Sequence, residues 1–220
     1  MIRCVIFDVD GTLVDSVDLH ARAWQETLEE FGHAVTFEEV RSQIGKGGDQ
    51  LLPVFLNPED MQREEKRISE HRAALFEKRY LPQVKGFPKV RELFQRLARD
   101  GKRIALASSA AGSELETYKE RARISDLVEI ETSKDDASKS KPHPDIFAAA
   151  LKQLGHPSAS ETIAVGDTPY DIEAAARAGL ATIAVRCGGF PEETLRGAIA
   201  IYDSPADLLA SYDESPLAGR

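Results

Sequence analysis

Residues 2–16 read Ile2-Arg3-Cys4-Val5-Ile6-Phe7-Asp8-Val9-Asp10-Gly11-Thr12-Leu13-Val14-Asp15-Ser16. A short apolar, β-rich run stops at Asp8, the pattern of a buried strand. Asp8 and Asp10 stand two apart, so strand alternation sends both carboxylates off the same side of the sheet edge. Paired carboxylates suit two tasks. One can attack while the other moves a proton, or the pair can bind a hard cation through oxygen. Gly11 and Thr12 allow a tight turn whose N–H groups can face an anion. An isolated Asp-x-Asp is also what a polar, strand-closing turn looks like; the whole string is more specific than that pair.

Working outward, runs of the same apolar kind recur at 103–107, 127–130, 162–165, 181–185 and 198–201. Helical spacing separates them: Val90, Leu93, Phe94 and Leu97; Ile146, Phe147, Ala150, Leu151 and Leu154; Ile172, Ala175, Ala176 and Gly179. Strands alternating with single helices predict an α/β fold, a doubly wound parallel sheet with helices on both faces. Residues 16–85 have a different texture, with no convincing strand. Val17, Ala21, Trp24, Leu28 and Phe31 share a helical face. Thr36 with Glu39 makes a capping box, Asn57-Pro58 is a cap with proline at the first helical position, and a charged helix is expected over 59–80. Gly45-Lys46-Gly47-Gly48 reads as a flexible break. The expected division is therefore a core of 1–15 and 86–220 with a helical cap of 16–85 inserted in it. Residues 213–220 read as a frayed tail.

Ligands of open α/β sheets bind at the carboxyl ends of the strands. The residues that follow the apolar runs are Asp8 and Asp10, then Ser108 and Ser109, then Gly166-Asp167 with Asp171 nearby. They are expected on one rim. Thr168 reads as an N-cap with Pro169 at the first helical position, which gives Asp171 a competing role in a capping box.

The chain has 220 residues, 42% hydrophobic and 30% charged, with a formal net charge of -9. That supplies enough apolar material for a packed core and excludes wholesale disorder. An acidic chain makes nucleic acid and anionic membrane surfaces poor partners. Two cysteines, Cys4 and Cys187, build no disulfide framework and match no metal-site spacing. There is no signal-like h-region and no apolar stretch long enough to span a bilayer, so a cytoplasmic setting is expected. Oligomeric state is not legible.

The string Asp8-Val9-Asp10-Gly11-Thr12-Leu13-Val14-Asp15-Ser16 resembles the first motif of the haloacid dehalogenase superfamily, whose members are mostly magnesium-dependent phosphatases and phosphomutases. The resemblance implies a Rossmann-like core with a cap. It makes Asp8 the nucleophile that forms an aspartyl phosphate and Asp10 the general acid/base. Three further motifs follow in order. Ile104-Ala105-Leu106-Ala107-Ser108-Ser109 is similar to the second, which would hold phosphoryl oxygens. Ser140-Lys141-Pro142 is similar to the third, in which Lys141 would pair with the phosphate and Asp8. Val165-Gly166-Asp167-Thr168-Pro169-Tyr170-Asp171 is similar to the fourth. There Asp167 would bind Mg2+ together with Asp8 and the backbone carbonyl of Asp10, and Asp171 would support the site. The position of the insert matches members resembling phosphoglycolate phosphatases and β-phosphoglucomutases. The substrate implied is a small phosphorylated metabolite.

Asp10 and Asp167 argue against dehalogenase chemistry, and Lys46 does not fall where a phosphonate hydrolase places its Schiff-base lysine. A phosphomutase is the rival: His20-Ala21-Arg22-Ala23-Trp24 resembles the corresponding mutase helix. Against it, glycine stands in the 45–48 loop where a phosphate-binding arginine is expected, and Thr12 is more phosphatase-like. His20, Lys46 and Arg72 are the candidate cap contacts to substrate. Each is equally readable as a packed or solvated side chain.

Overall fold

The computed structural model of the chain describes residues 1–218. Strand β1 (Cys4–Phe7) is buried at all four positions, as a strand covered on both faces requires. After the Asp8 turn come a two-residue strand, β2 (Val14–Asp15), and helix α1 (Val17–Glu30), which buries Val17, Ala21, Trp24 and Leu28 along one face. Helices α2 (Phe37–Arg41), α3 (Gly48–Phe55) and α4 (Pro58–Leu75) complete a helical insertion. Thr36 and Glu39 form the capping box of α2, and the Asn57 side chain accepts from the Glu59 and Asp60 N–H groups ahead of α4. The helix expected over 59–80 changes character at Phe76: Phe76–Tyr80 is a π-helical turn, a widening that sequence periodicity does not report. The chain then returns through β3 (Lys85–Gly86), antiparallel to β2.

The remainder alternates: α5 (Val90–Arg99), β4 (Arg103–Ala107), α6 (Gly112–Ala122), β5 (Ile130–Thr132), α7 (Asp145–Gln153), β6 (Thr162–Gly166), α8 (Pro169–Arg177), β7 (Ala181–Val185), β8 (Ala200–Tyr202) and α9 (Pro205–Ala210). Six strands form one parallel sheet in the order β5-β4-β1-β6-β7-β8. β1 lies between β4 and β6, so the carboxyl ends of these three strands are neighbours. Alternation along β1 splits the core. Val5 and Phe7 join Phe94, Ile104 and Leu106 on one face; Cys4 and Ile6 join Ala105, Phe147 and Ala164 on the other. The insertion has a separate apolar cluster, with Trp24, Leu28, Val40, Leu51, Leu52 and Ile68 at its centre. No helix among the described residues is long and apolar enough to cross a membrane.

Two edge strands start later than their apolar runs. Leu127 and Val128 pack partly buried against the core ahead of β5, and Ile199 is exposed ahead of β8. The tail expected to fray over 213–220 does not do so through 218. Leu217 is fully buried and Tyr212 nearly so, in the same cluster as Phe94 and Leu97. The Arg96 guanidinium covers the Tyr212 ring at 4.4 Å and bonds Asp213 at 2.6 Å. Two lone apolar residues in a polar tail carry no periodicity, which is why the sequence hides this contact. Residues 219–220 lie outside the described residues. Leu217→Ala is expected to cost about 2–5 kcal/mol of stability, the range for emptying a buried leucine site. Urea unfolding checks this as a lower midpoint at unchanged m-value; an unshifted midpoint would mean that the tail is not packed.

Candidate active site

Asp8 follows β1 and Asp167 follows β6, and each is buried. Asp171 lies in the first turn of α8. Oxygens of Asp8, Asp167 and Asp171 all lie within 4.8 Å of one another. Lys141, only 1% exposed, pairs with Asp8, lies in an ion pair 2.7 Å from Asp171 Oδ1 and reaches the Ala107 carbonyl at 3.3 Å. The Thr12 hydroxyl donates towards Asp167 Oδ1 at 3.1 Å and Asp8 Oδ2 at 3.4 Å. Asp171 serves two masters. Its Oδ2 accepts from the Thr168 N–H (3.0 Å) and hydroxyl (2.6 Å), closing the capping box of α8, while Oδ1 meets Lys141.

Three carboxylates share one ammonium in a dry place, and their proton affinities show it. Burial pushes the Asp8 carboxyl up to about 7, with Asp171 and Asp10 adding to the rise against Lys141. Burial also drives Asp167 well above the ordinary range, with the charges of Asp171 and Asp8 behind it. Burial would lower Lys141, but Asp171 and Asp8 outweigh that and hold the ammonium above its usual value. The group thus carries excess negative charge, offers only oxygen donors, and leaves Asp167 Oδ2 without a hydrogen-bond partner. A hard divalent cation fits such a donor set. Gly188, in the loop after β7, presses on the same carboxylate; a Cβ there would run into Asp167 Oδ2.

Asp10 turns to the insertion. Its Oδ1 accepts from the Ser16 hydroxyl at 2.6 Å and meets His20 Nε2 at 2.8 Å. Among the described residues its Oδ2 has no protein partner. Burial would raise this carboxyl, yet the facing His20 and Ser16, with Arg72 behind them, hold it below the usual carboxylate range. His20 stacks flat on Phe76, with ring centroids 4.0 Å apart, and its Nδ1 faces the Arg72 guanidinium. Arg72 in turn lies over the rings of Trp24 (5.2 Å) and Phe76 (4.8 Å). The Tyr118 hydroxyl lies 3.1 Å from both His20 Nε2 and Glu114 Oε1.

Asp8, Asp10, His20, Trp24, Lys46, Arg72, Ser109 and Glu114 line a common cavity of about 90 Å³. Lys46 contributes a half-buried ammonium that burial shifts below its ordinary value; it bonds Gln43 at 2.5 Å and covers the Tyr170 ring at 4.8 Å. The 45–48 glycines serve close packing rather than flexibility. Gly45 has φ +105°, and a Cβ there would come within 2.7 Å of Thr168.

Each sequence-predicted residue therefore lies at or beside one site, with one difference in role. The Gly11 and Thr12 amides do not point at an anion: they bond Val14 and Val9 carbonyls inside the turn at 2.9 and 3.2 Å. The amides at this turn without a protein partner, among the described residues, are those of Val9 and Asp10. At the second motif, the Ser108 hydroxyl accepts from the Ala110 N–H at 3.1 Å and keeps its proton to donate. Sequence reading missed Ser16, Phe76, Glu114 and Tyr118. Ser16 ends the first motif string, six residues from Asp10, but its spacing carries no sign of the bond to that carboxylate; the others converge from distant segments.

Residues 5–185 match the family described as haloacid dehalogenase-like hydrolase, and the chain belongs to that family of hydrolases. The phosphoglycolate phosphatase of Aquifex aeolicus is 29% identical over 216 residues, covering 96% of this chain and 97% of its own. Pyrophosphatase PpaX of Oceanobacillus iheyensis is 28% identical over 185 residues, covering 84% of this chain and 83% of its own. The crystal structure of a hydrolase from Pseudomonas syringae superposes with a TM-score of 0.86 at 30% identity, over 96% of this chain and 98% of that one.

A carboxylate cluster of this kind is expected to make stability depend on pH and on a bound cation. The folded-state value of Asp8, about 7, exceeds the unfolded one, so the folded protein holds more protons between about pH 4 and 7. Stability of the metal-free protein is expected to fall as pH rises through that window. Urea unfolding in chelator should give a lower midpoint at pH 8 than at pH 5, and magnesium should recover the loss at pH 8. Equal midpoints in chelator would contradict the charge balance described.

Proposed function

We propose that the protein is a magnesium-dependent phosphatase that hydrolyses a small phosphate monoester through an aspartyl phosphate on Asp8. One observation carries the reading: Asp8, held by Lys141, faces the same small cavity as Asp10, whose Oδ2 is left free. In this reading residues 1–15 and 86–220 form the catalytic core and residues 16–85 the cap. Asp8 attacks phosphorus while the Val9 and Asp10 amides, Ser108, Ser109 and Lys141 hold the phosphoryl oxygens. Asp8, Asp167 and the Asp10 carbonyl, with Asp171 in support, would hold magnesium, which would supply charge neutralisation for phosphate and carboxylate together. Asp10 gives a proton to the leaving oxygen and then takes one from the water that cleaves the intermediate. An arriving phosphate raises the proton affinity of Asp10, because like charge disfavours its anion. The capping segments exclude bulk water around this exchange.

The two phosphorylated classes named by the relatives, phosphoglycolate and pyrophosphate, are small, and so is the cavity; it is size, not the second charge, that this reading carries over. Lys46 and Arg72, which line its cap side, support a compact phosphorylated metabolite as substrate. A cytoplasmic setting belongs to the same reading, supported by two free cysteines. A β-phosphoglucomutase-like phosphomutase is the second reading, favoured by His20 beside Asp10. The loop that supplies Lys46 and three glycines, without arginine, favours the phosphatase.

Hydrolysis of p-nitrophenyl phosphate is expected with magnesium and not in chelator. Asp8→Asn should lower turnover by at least about 10³-fold while leaving the circular dichroism spectrum unchanged. Substantial residual turnover would remove Asp8 from its role. Conversion of β-glucose 1-phosphate without net phosphate release, given a bisphosphate activator, would establish the mutase instead.

A further inference from the structure

The chemistry proposed above leaves one charged wall residue of the cavity without a role. Glu114, half-buried in the first turn of α6, lines the active-site cavity on its core side. It also lines a second cavity of about 160 Å³ between α6 and the Phe76 turn; Arg72 is the other residue common to both. Among the described residues no cation pairs with Glu114.

The donors around Glu114 have fixed directions. Arg72 can only donate, so the His20 Nδ1 that faces it is the bare ring nitrogen and Nε2 carries the hydrogen. That hydrogen serves Asp10 Oδ1 at 2.8 Å, and the Tyr118 oxygen at 3.1 Å is left to accept beside it. The Tyr118 hydrogen then goes to Glu114 Oε1. Tyr118 is fully buried, and burial with the charges of Asp10 and Glu114 keeps its hydroxyl protonated. Glu114 is therefore an acceptor held in place from behind, at the junction of two cavities, and its Oε2 has no protein partner among the described residues.

We infer that Glu114 reads the leaving group: it accepts a hydrogen bond from a hydroxyl or ammonium there and rejects a second anion at that place. Tyr118 is the positioning residue that aims it. This rests on the phosphatase reading and names a substrate class within it, phosphate esters of hydroxylated or aminated alcohols. Discrimination by a buried polar group works in this way because the wrong partner leaves charge facing charge.

The test measures inhibition of p-nitrophenyl phosphate hydrolysis by glycerol 3-phosphate and by phosphoglycolate, one bearing hydroxyls and the other a carboxylate. Glu114→Gln keeps shape and the bond from Tyr118 but removes the charge. The preference for glycerol 3-phosphate over phosphoglycolate, as a ratio of inhibition constants, is expected to fall about tenfold in Glu114→Gln. Tyr118→Phe, which keeps the buried ring, should move the ratio the same way by less. A merely structural role for either residue would weaken both inhibitors alike. A ratio within twofold of wild type in folded, active Glu114→Gln overturns the inference. Failure of the phosphatase reading shows separately, as absence of aryl phosphate turnover by wild type.

Discussion

The Lys141 ammonium, sealed among Asp8, Asp171 and the Ala107 carbonyl, is the contact on which the site depends. Removing a lysine and a carboxylate from water is expensive, and their attraction offsets the cost only when the geometry is good and the remaining valences are filled. The fold meets that condition by topology. β1 sits between β4 and β6, so Asp8, Ala107 and Asp167 leave the sheet side by side. The loop before α7 brings Lys141 over them, and the capping box of α8 aims Asp171. No local segment assembles this group; only the parallel sheet does. Its charge is still not balanced, and that residue of negative charge is the physical reason for a cation.

The insertion is joined to the core by apolar and polar contacts together: Ala23, Phe76 and Tyr80 belong to the same apolar cluster as Phe7 and Phe94, and polar bonds ring the carboxylates. Arg41 from α2 donates to the Gly188 and Gly189 carbonyls at 2.9 and 3.3 Å while it bonds Asp18 at 2.6 Å. Gly188 is the residue against which Asp167 packs. The Tyr170 hydroxyl donates to the Ser42 carbonyl at 2.7 Å, and the Ser140 N–H donates to Asp49 at 3.1 Å. With His20 on Asp10, each side of the carboxylate cluster has a bond to the insertion. Such bonds are individually worth about 1 kcal/mol.

What the sequence disclosed follows from how locally each feature is encoded. Asp8, Asp10, Lys141 and Asp167 were legible because each sits at a strand end or in a compact motif, and the strands announce themselves as apolar runs. A parallel sheet with the strand-end residues on one rim followed from the βαβ pattern; the strand order that makes β4, β1 and β6 neighbours did not. Capping boxes at Thr36 and Thr168 were legible because they are four-residue events. Helix α6 was not, because its buried positions include Lys119 and its other faces are charged. With α6 hidden, Tyr118 and Glu114 were hidden too. The π-helical turn is a backbone event with no periodic trace, and it is this turn that lays Phe76 on His20. The Gly11 and Thr12 amides were misassigned because a glycine turn shows that backbone is close, not which N–H groups it spends internally.

An acidic chain that accepts an anion needs a local inversion of its own field, and the site supplies it asymmetrically. On the reacting side the cationic counterweights are Lys141 and whatever cation the carboxylates recruit. On the far side they are Arg72 and Lys46, neither of which forms an ion pair with a carboxylate among the described residues. Arg72 spends its charge on His20 and on two aromatic faces, so only part of it remains for a ligand. Lys46 spends its bond on Gln43. Opposite them Glu114 adds a negative charge that nothing cancels. The field across the cavity thus runs from cationic on the cap wall to anionic on the α6 wall. On the phosphatase reading proposed above, a leaving group lying in that field is oriented by it, and orientation within hydrogen-bond reach of Asp10 is worth more to such chemistry than affinity alone.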